Sequence, residues 1–185
     1  MEKLLRDKKY DFVSDQDKAF IVEFTKQMNL FGYDYGEKIE NGACWGKFMI
    51  IYSQKGIKTK KVIARIYIRD NNVIIWGGKE YKYNNGIVLR LFFSKIEKHR
   101  SYIENAHSHI KAPFINDHGN CDYHKESCRS RKTYIIDDKK IEKCDGIVFE
   151  YKNPKSEYIK DYMDILKEFY GKKELEEVIK QKTST

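Results

Sequence analysis

The stretch from Val62 to Arg69 leaves the chain little choice of conformation, because Val62, Ala64, Ile66 and Ile68 alternate with Ile63, Arg65, Tyr67 and Arg69. Successive side chains of a strand point to opposite faces, so this period of two gives a strand with one face turned to a core. One strand cannot bury that face alone, and the neighbouring sequence supplies partners. Trp45 to Ser53 is apolar on both faces, as a central strand is, and Val73 to Trp76 and Ile87 to Phe93 read as further strands. Gln54-Lys55-Gly56, Asp70-Asn71-Asn72, Gly77-Gly78 and Asn84-Asn85-Gly86 carry the turn chemistry between them. The first half is therefore expected to be a meander of about four strands.

Helices flank it. Ser14-Asp15-Gln16-Asp17 resembles a capping box with Asp in place of Glu, and Phe20, Ile21, Phe24 and Met28 follow at helical spacing, which predicts a helix over Asp15 to Leu30. Ser94-Lys95-Ile96-Glu97 predicts a second helix, with Ile96, Ile103, Ala106 and Ile110 inward and Ala112-Pro113 ending it. Tyr134 to Ile136 and Gly146 to Tyr151 read as strands around an Asp137-Asp138 turn. Asn153-Pro154 gives an N-cap and a first-turn proline to a last helix, whose apolar stripe is Ile159, Tyr162, Met163, Leu166, Phe169 and Tyr170, up to Gly171. The expectation is an α+β fold: a mostly antiparallel sheet of about five to six strands, three main helices and a Cys/His-rich loop-hairpin. Residues 1–171 are read as a single domain and 172–185 as a charged extension.

A chain of 185 residues can bury roughly 70% of the surface its unfolded form exposes. With 35% charged residues, the charge must lie outside a compact core. No apolar run is long enough to span a bilayer, and Met1 to Asp7 has no apolar stretch behind its charges, so a cytoplasmic protein without membrane contact is expected. The net charge of +8 raises the question of nucleic acid. That partner is disfavoured, because the positive residues are mostly Lys interspersed with acids, whereas base and phosphate recognition favours the planar Arg fork.

Asn116 to Lys132 has almost no apolar residues and no hydrophobic period, yet it holds Cys121, His124 and Cys128, and Cys144 follows after a short hairpin. Zinc takes four tetrahedral nitrogen or sulfur ligands, and its binding can order a segment that burial cannot. Cys121, His124, Cys128 and Cys144 are thus read as a structural Zn²⁺ knuckle. A full protein ligand set leaves no open position and argues against hydrolysis at that metal. His118 is an alternative to His124, and His107-x-His109 supplies further candidates. The competing readings are buried or incidental thiols, or a redox pair of Cys121 and Cys128 beside Arg129, Arg131 and Lys132.

Arg65, Tyr67 and Arg69 share one face of their strand, with Arg90 and Phe92 off the Leu89, Leu91, Phe93 face of another, and Trp45 and Lys47 able to join them. Guanidinium forks among rings suit a carboxylate or phosphate ligand with a flat apolar part. Trp45, Lys47, Arg65, Tyr67, Arg69 and Arg90 are the candidate ligand residues, for an anionic small molecule or a protein partner. The competing reading is a solvent-facing sheet with cross-strand cation–π pairs, or one with a helix lying over it and Arg snorkelling outward. No catalytic motif is present, and Cys44 has no evident base in the sequence.

Asn41-Gly42-Ala43-Cys44-Trp45-Gly46-Lys47, the Ile87 to Tyr102 block, and Gly119-Asn120-Cys121 through Cys128-Arg129-Ser130-Arg131-Lys132-Thr133-Tyr134 to Cys144-Asp145-Gly146 together resemble a group of small uncharacterised bacterial proteins. The resemblance covers roughly Ser14 to Gly171. It implies an α+β domain with a cysteine-rich C-terminal hairpin, in which the position of His124 is often cysteine, and it implies no activity. The expected function is a binding module with a structural zinc. The alternatives are an enzyme using an open metal site or Cys44, and a basic nucleic-acid-binding protein.

Overall fold

A computed structural model describes residues 1–42, 45–54, 61–76, 79–117, 130–144 and 149–171. Among these, helices α1 (Glu2–Leu5), α2 (Asp15–Leu30), α3 (Arg100–Asn105), α4 (Ser108–Ile115) and α5 (Ile159–Tyr170) accompany ten strands. The strands are β1 (Tyr33–Asp34), β2 (Glu40–Asn41), β3 (Phe48–Gln54), β4 (Val62–Arg69), β5 (Asn72–Trp76), β6 (Lys79–Tyr83), β7 (Gly86–Leu91), β8 (Arg131–Ile136), β9 (Lys139–Cys144) and β10 (Glu150–Lys152). The fold is α+β. Its main sheet has six strands in the order β1-β3-β4-β7-β10, with β2 also on β3, and every pairing is antiparallel. No helix among the described residues is long and apolar enough to cross a membrane.

The chain divides into two compact units, Met1–Phe92 with Glu150–Ile159, and Phe93–Phe149 with the residues from Lys160 onward. In the first, β4 spans Val62–Arg69 as its alternation predicts, and one sheet face carries the apolar rows Phe48–Ile68–Ile87, Ile50–Ile66–Leu89 and Tyr52–Ala64–Leu91. Helix α2 turns Phe20, Ile21, Phe24, Thr25 and Met28 inward, and Phe24 meets Tyr52 edge to face at 5.4 Å. Each of the apolar side chains among these contributes about 1.5–3 kcal/mol by leaving water. Ser14 caps α2 by accepting from the Asp17 amide at 3.1 Å. The expected meander is interrupted, since among the described residues β5 and β6 pair only with each other, as a two-stranded sheet between β4 and β7 in sequence.

In the second unit, β8 and β9 form a hairpin through Asp137 and Asp138, at φ 49° and 59°. Two consecutive left-handed residues make the type I′ turn that matches strand twist. The sequence placed the wrong partner here: the second strand is Lys139–Cys144, whereas Glu150–Lys152 joins β7 of the main sheet. The second predicted helix is also broken. Ile96–His99 is a 3-10 turn, α3 ends at Asn105, and Ala106 and His107 are extended before α4 begins. Pro113 lies inside α4 instead of ending it. Asn153-Pro154 does not cap the last helix, which starts at Ile159 after a 3-10 turn over Ser156–Tyr158. Phe93 gathers the core of this unit, with Phe169 at 4.2 Å, Phe149 at 5.4 Å and Phe114 at 5.7 Å between ring centroids.

Candidate functional site

The second face of the main sheet carries the row Ile51–Arg65–Arg90–Glu150, with Met49–Tyr67–Val88 beside it. Antiparallel pairing sets residues of a row on the same side, so Arg65 and Arg90 stand directly opposite each other. Arg90 is sealed by Glu150: its Nε donates to Oε1 at 2.9 Å, its Nη2 reaches the same oxygen, and both side chains are buried. Its guanidinium also lies over the rings of Trp45 at 5.0 Å and Tyr67 at 4.9 Å. The Tyr67 hydroxyl accepts from Nη1 of Arg65 at 3.3 Å and from Nη1 of Arg90 at 3.4 Å.

The six candidate ligand residues therefore separate. Trp45, Arg65, Tyr67 and Arg90 form one cluster, while Lys47 pairs with Asp70 at 2.7 Å and Arg69 donates to the Trp45 carbonyl at 2.9 Å. Sequence reasoning missed Glu150, which lies between Phe149 and Tyr151 and meets Arg90 only through the register of β10 on β7. It had Phe92 in view, and the Arg65 guanidinium sits over that ring at 5.2 Å. Among the described residues Arg65 has no carboxylate partner, and its Nε is buried without a hydrogen bond. No protein-family model, curated protein or solved structure matches the chain.

Of the proposed zinc ligands, Cys121, His124 and Cys128 lie outside the described residues, as do His118 and Cys44. Cys144 is half-buried at the end of β9, opposite Arg131. A different ligand set converges within the second unit. His107 Nδ1 lies 3.1 Å and His109 Nε2 2.8 Å from Oδ2 of Asp161, and the three ligand atoms all fall within 4.8 Å of one another. The His-x-His spacing was visible in the sequence, but the acid that completes the set was not, because it comes from the first turn of α5. Burial works to raise the Asp161 pKa, yet the hydrogen bonds and charges of His107 and His109 outweigh it and leave the carboxyl below its ordinary range. Nearby, burial and the carboxylates of Asp164, Glu168 and Asp161 raise the Tyr102 pKa, so this side chain stays a phenol.

Proposed function

We propose that the chain is a binding module that takes a small carboxylate or phosphate at Arg65. The supporting observation is the charge balance of one sheet row, in which Glu150 matches Arg90 and nothing among the described residues matches Arg65. Like charges directly opposite on a sheet repel, and a guanidinium N–H withdrawn from water without an acceptor costs free energy. An arriving anion relieves both. With one Nη1 hydrogen directed to Tyr67, the remaining donors of Arg65 include Nε and Nη2, which together form the edge that donates to a carboxylate or phosphate in two parallel bonds. Phe92 supplies an apolar surface for the rest of the ligand.

Thermal unfolding with and without inorganic phosphate tests this reading. Phosphate also stabilises proteins by exclusion from their surface, and Arg65→Met carries only that general effect. The specific part is the difference between the two proteins, which reaches about 2.7 kcal/mol when the ligand is at a hundredfold its Kd. Equal responses of wild type and Arg65→Met to phosphate and to acetate would discard the proposal.

A second reading, a structural zinc held by Cys121, His124, Cys128 and Cys144, is favoured by one register. Arg131 pairs with Cys144, and Cys128 precedes Arg131 by three positions in the sequence. The three residues from Cys128 to Arg131 reach at most about 11 Å. Elemental analysis of the purified chain, set against Cys144→Ser, reads it out directly: stoichiometric zinc lost in the variant supports it, and an apo protein of full stability ends it.

A further inference from the structure

The anion-binding reading uses only the first unit, and the second unit holds a site of different chemistry. We propose that His107, His109 and Asp161 form a centre for a divalent first-row transition metal, with open coordination positions facing a groove. The groove has a volume of about 430 Å³, and both His107 and Asp161 line it, together with Ser101, Tyr102, Asn105 and Asp164.

The backbone explains how residues two apart come to act together. Within a helix, side chains at i and i+2 do not share a face. Here the chain leaves α3 at Asn105, and Ala106 and His107 have ψ 157° and 148°, so His107 precedes α4 in an extended conformation and His109 sits in its first turn. Asp161 reaches them from the first turn of α5. Tyr162, the next residue, places its ring edge-on to His109 at 6.4 Å between centroids.

The distances suit a metal. Bonds of about 2.0–2.2 Å from one ion to nitrogen and oxygen ligands separate those ligand atoms by about 3–3.5 Å. Two of the separations, 2.8 and 3.1 Å, already lie at or just under that spacing. In the metal-free cluster both imidazoles converge on one carboxylate oxygen. A divalent cation there would take one lone pair from each facing ring nitrogen, with any proton on the ring carried by the other nitrogen, and the Asp161 carboxylate would offset part of its charge.

The donor set decides the class of ion and the kind of site. Two imidazoles and a carboxylate select borderline cations such as Zn²⁺, Co²⁺ or Fe²⁺ over Ca²⁺ and Mg²⁺, which prefer all-oxygen shells. Three protein ligands leave at least one position for water or an oxygen donor, unlike a closed structural set. The ligand residues are graded in exposure to match: the Asp161 and His109 side chains are 22% and 25% exposed, against 74% for His107. The phenol of Tyr102 adds a hydrogen-bond donor to the groove that receives that open position.

The test is a Co²⁺ titration of the full chain, followed by calorimetry and visible absorption. A nitrogen and oxygen site gives weak ligand-field bands without the strong sulfur-to-metal charge transfer that thiolates produce, so it is distinguished from any cysteine site by its spectrum. The expected result is one such ion per chain, unchanged by Cys144→Ser. Its affinity should fall more than about 100-fold in His109→Ala and in Asp161→Asn, since even the loss of an outer-shell partner costs about 10- to 100-fold. His107→Ala, at the most exposed ligand, keeps the test valid if either of the others folds poorly. A sulfur-type spectrum alone, an affinity that none of the three substitutions alters, or a Kd weaker than about 1 mM would each overturn the proposal.

Discussion

Two clusters in this molecule set a carboxylate against nitrogen-bearing side chains, one guanidinium in the first and two imidazoles in the second, and they differ in access. Arg90 and Glu150 have side chains only 5% and 1% exposed, whereas His107 beside Asp161 is 74% exposed. The first is locked across a sheet row by the pairing of β10 on β7. The second borders a groove, and its imidazoles and carboxylate are side chains of the types that ligate metals. A sealed pair specifies structure, because nothing from solvent replaces either partner. An open one keeps its ligand atoms available for exchange.

Removing one partner of a buried ion pair leaves the other charged and dry, so Glu150→Ala should lose about 3–5 kcal/mol in urea unfolding. The double substitution Arg90→Met with Glu150→Leu should recover most of that loss, since apolar residues of similar size often replace such a pair at no net cost. A loss under about 1 kcal/mol in Glu150→Ala would show that water reaches Arg90 and that the row is not sealed.

A neutral sealed contact lies on the opposite sheet face and should count for less. The Tyr52 hydroxyl and Thr25 Oγ1 are 2.7 Å apart in the core, and Thr25 also donates to the Ile21 carbonyl at 2.6 Å. Tyr52→Phe leaves Thr25 with that second partner, so the cost should be about 0.5–1.5 kcal/mol. Burial holds the Tyr52 pKa well above its ordinary 10.0, and the Thr25 hydrogen bond only partly opposes this. With the folded pKa raised, the unfolded chain loses the proton first, so stability is full below about pH 10 and falls as pH rises beyond it. Tyr134, raised by burial alone, adds to the same alkaline loss. Tyr52→Phe should flatten that decline, and an unchanged alkaline slope would mean that the ring is reached by water.

How much of this was legible in the sequence depended on whether a signal was local. Helix α2 and strand β4 were readable to the residue, because a serine cap and a period of two are written within a few positions. The Asp137-Asp138 turn was equally clear, but its second strand was not. Lys139–Cys144 places Lys143 at an inward position, fully buried with its amine donating to the Asn116 carbonyl, where the alternation rule asks for an apolar residue. The break at Ala106 and His107 contains neither Gly nor Pro, so nothing local announces it. Both candidate sites share that limit. Their positive halves, Arg65 with Arg90 and His107 with His109, stand out as motifs, while their acids lie 60 and 54 residues further along. Those acids are brought in only by sheet register in one case and by helix packing in the other.

The smallest expected effect lies at the open cluster. His107 is largely solvated, and exposed ion pairs contribute about 0–1 kcal/mol, so His107→Ala and Asp161→Asn should each change stability by less than about 1 kcal/mol in a chelating buffer. In the presence of Zn²⁺ the wild-type chain should unfold at a higher temperature than either variant, because an ion that binds only the folded state stabilises it by mass action. The contrast with Glu150→Ala is then large without metal and narrows with it. Were Asp161→Asn to cost as much as Glu150→Ala in chelator, the carboxylate would be a structural support for α4 and α5 rather than a ligand. Access would no longer separate the two clusters, and the groove beside His107 would lose its claim to an exchangeable site.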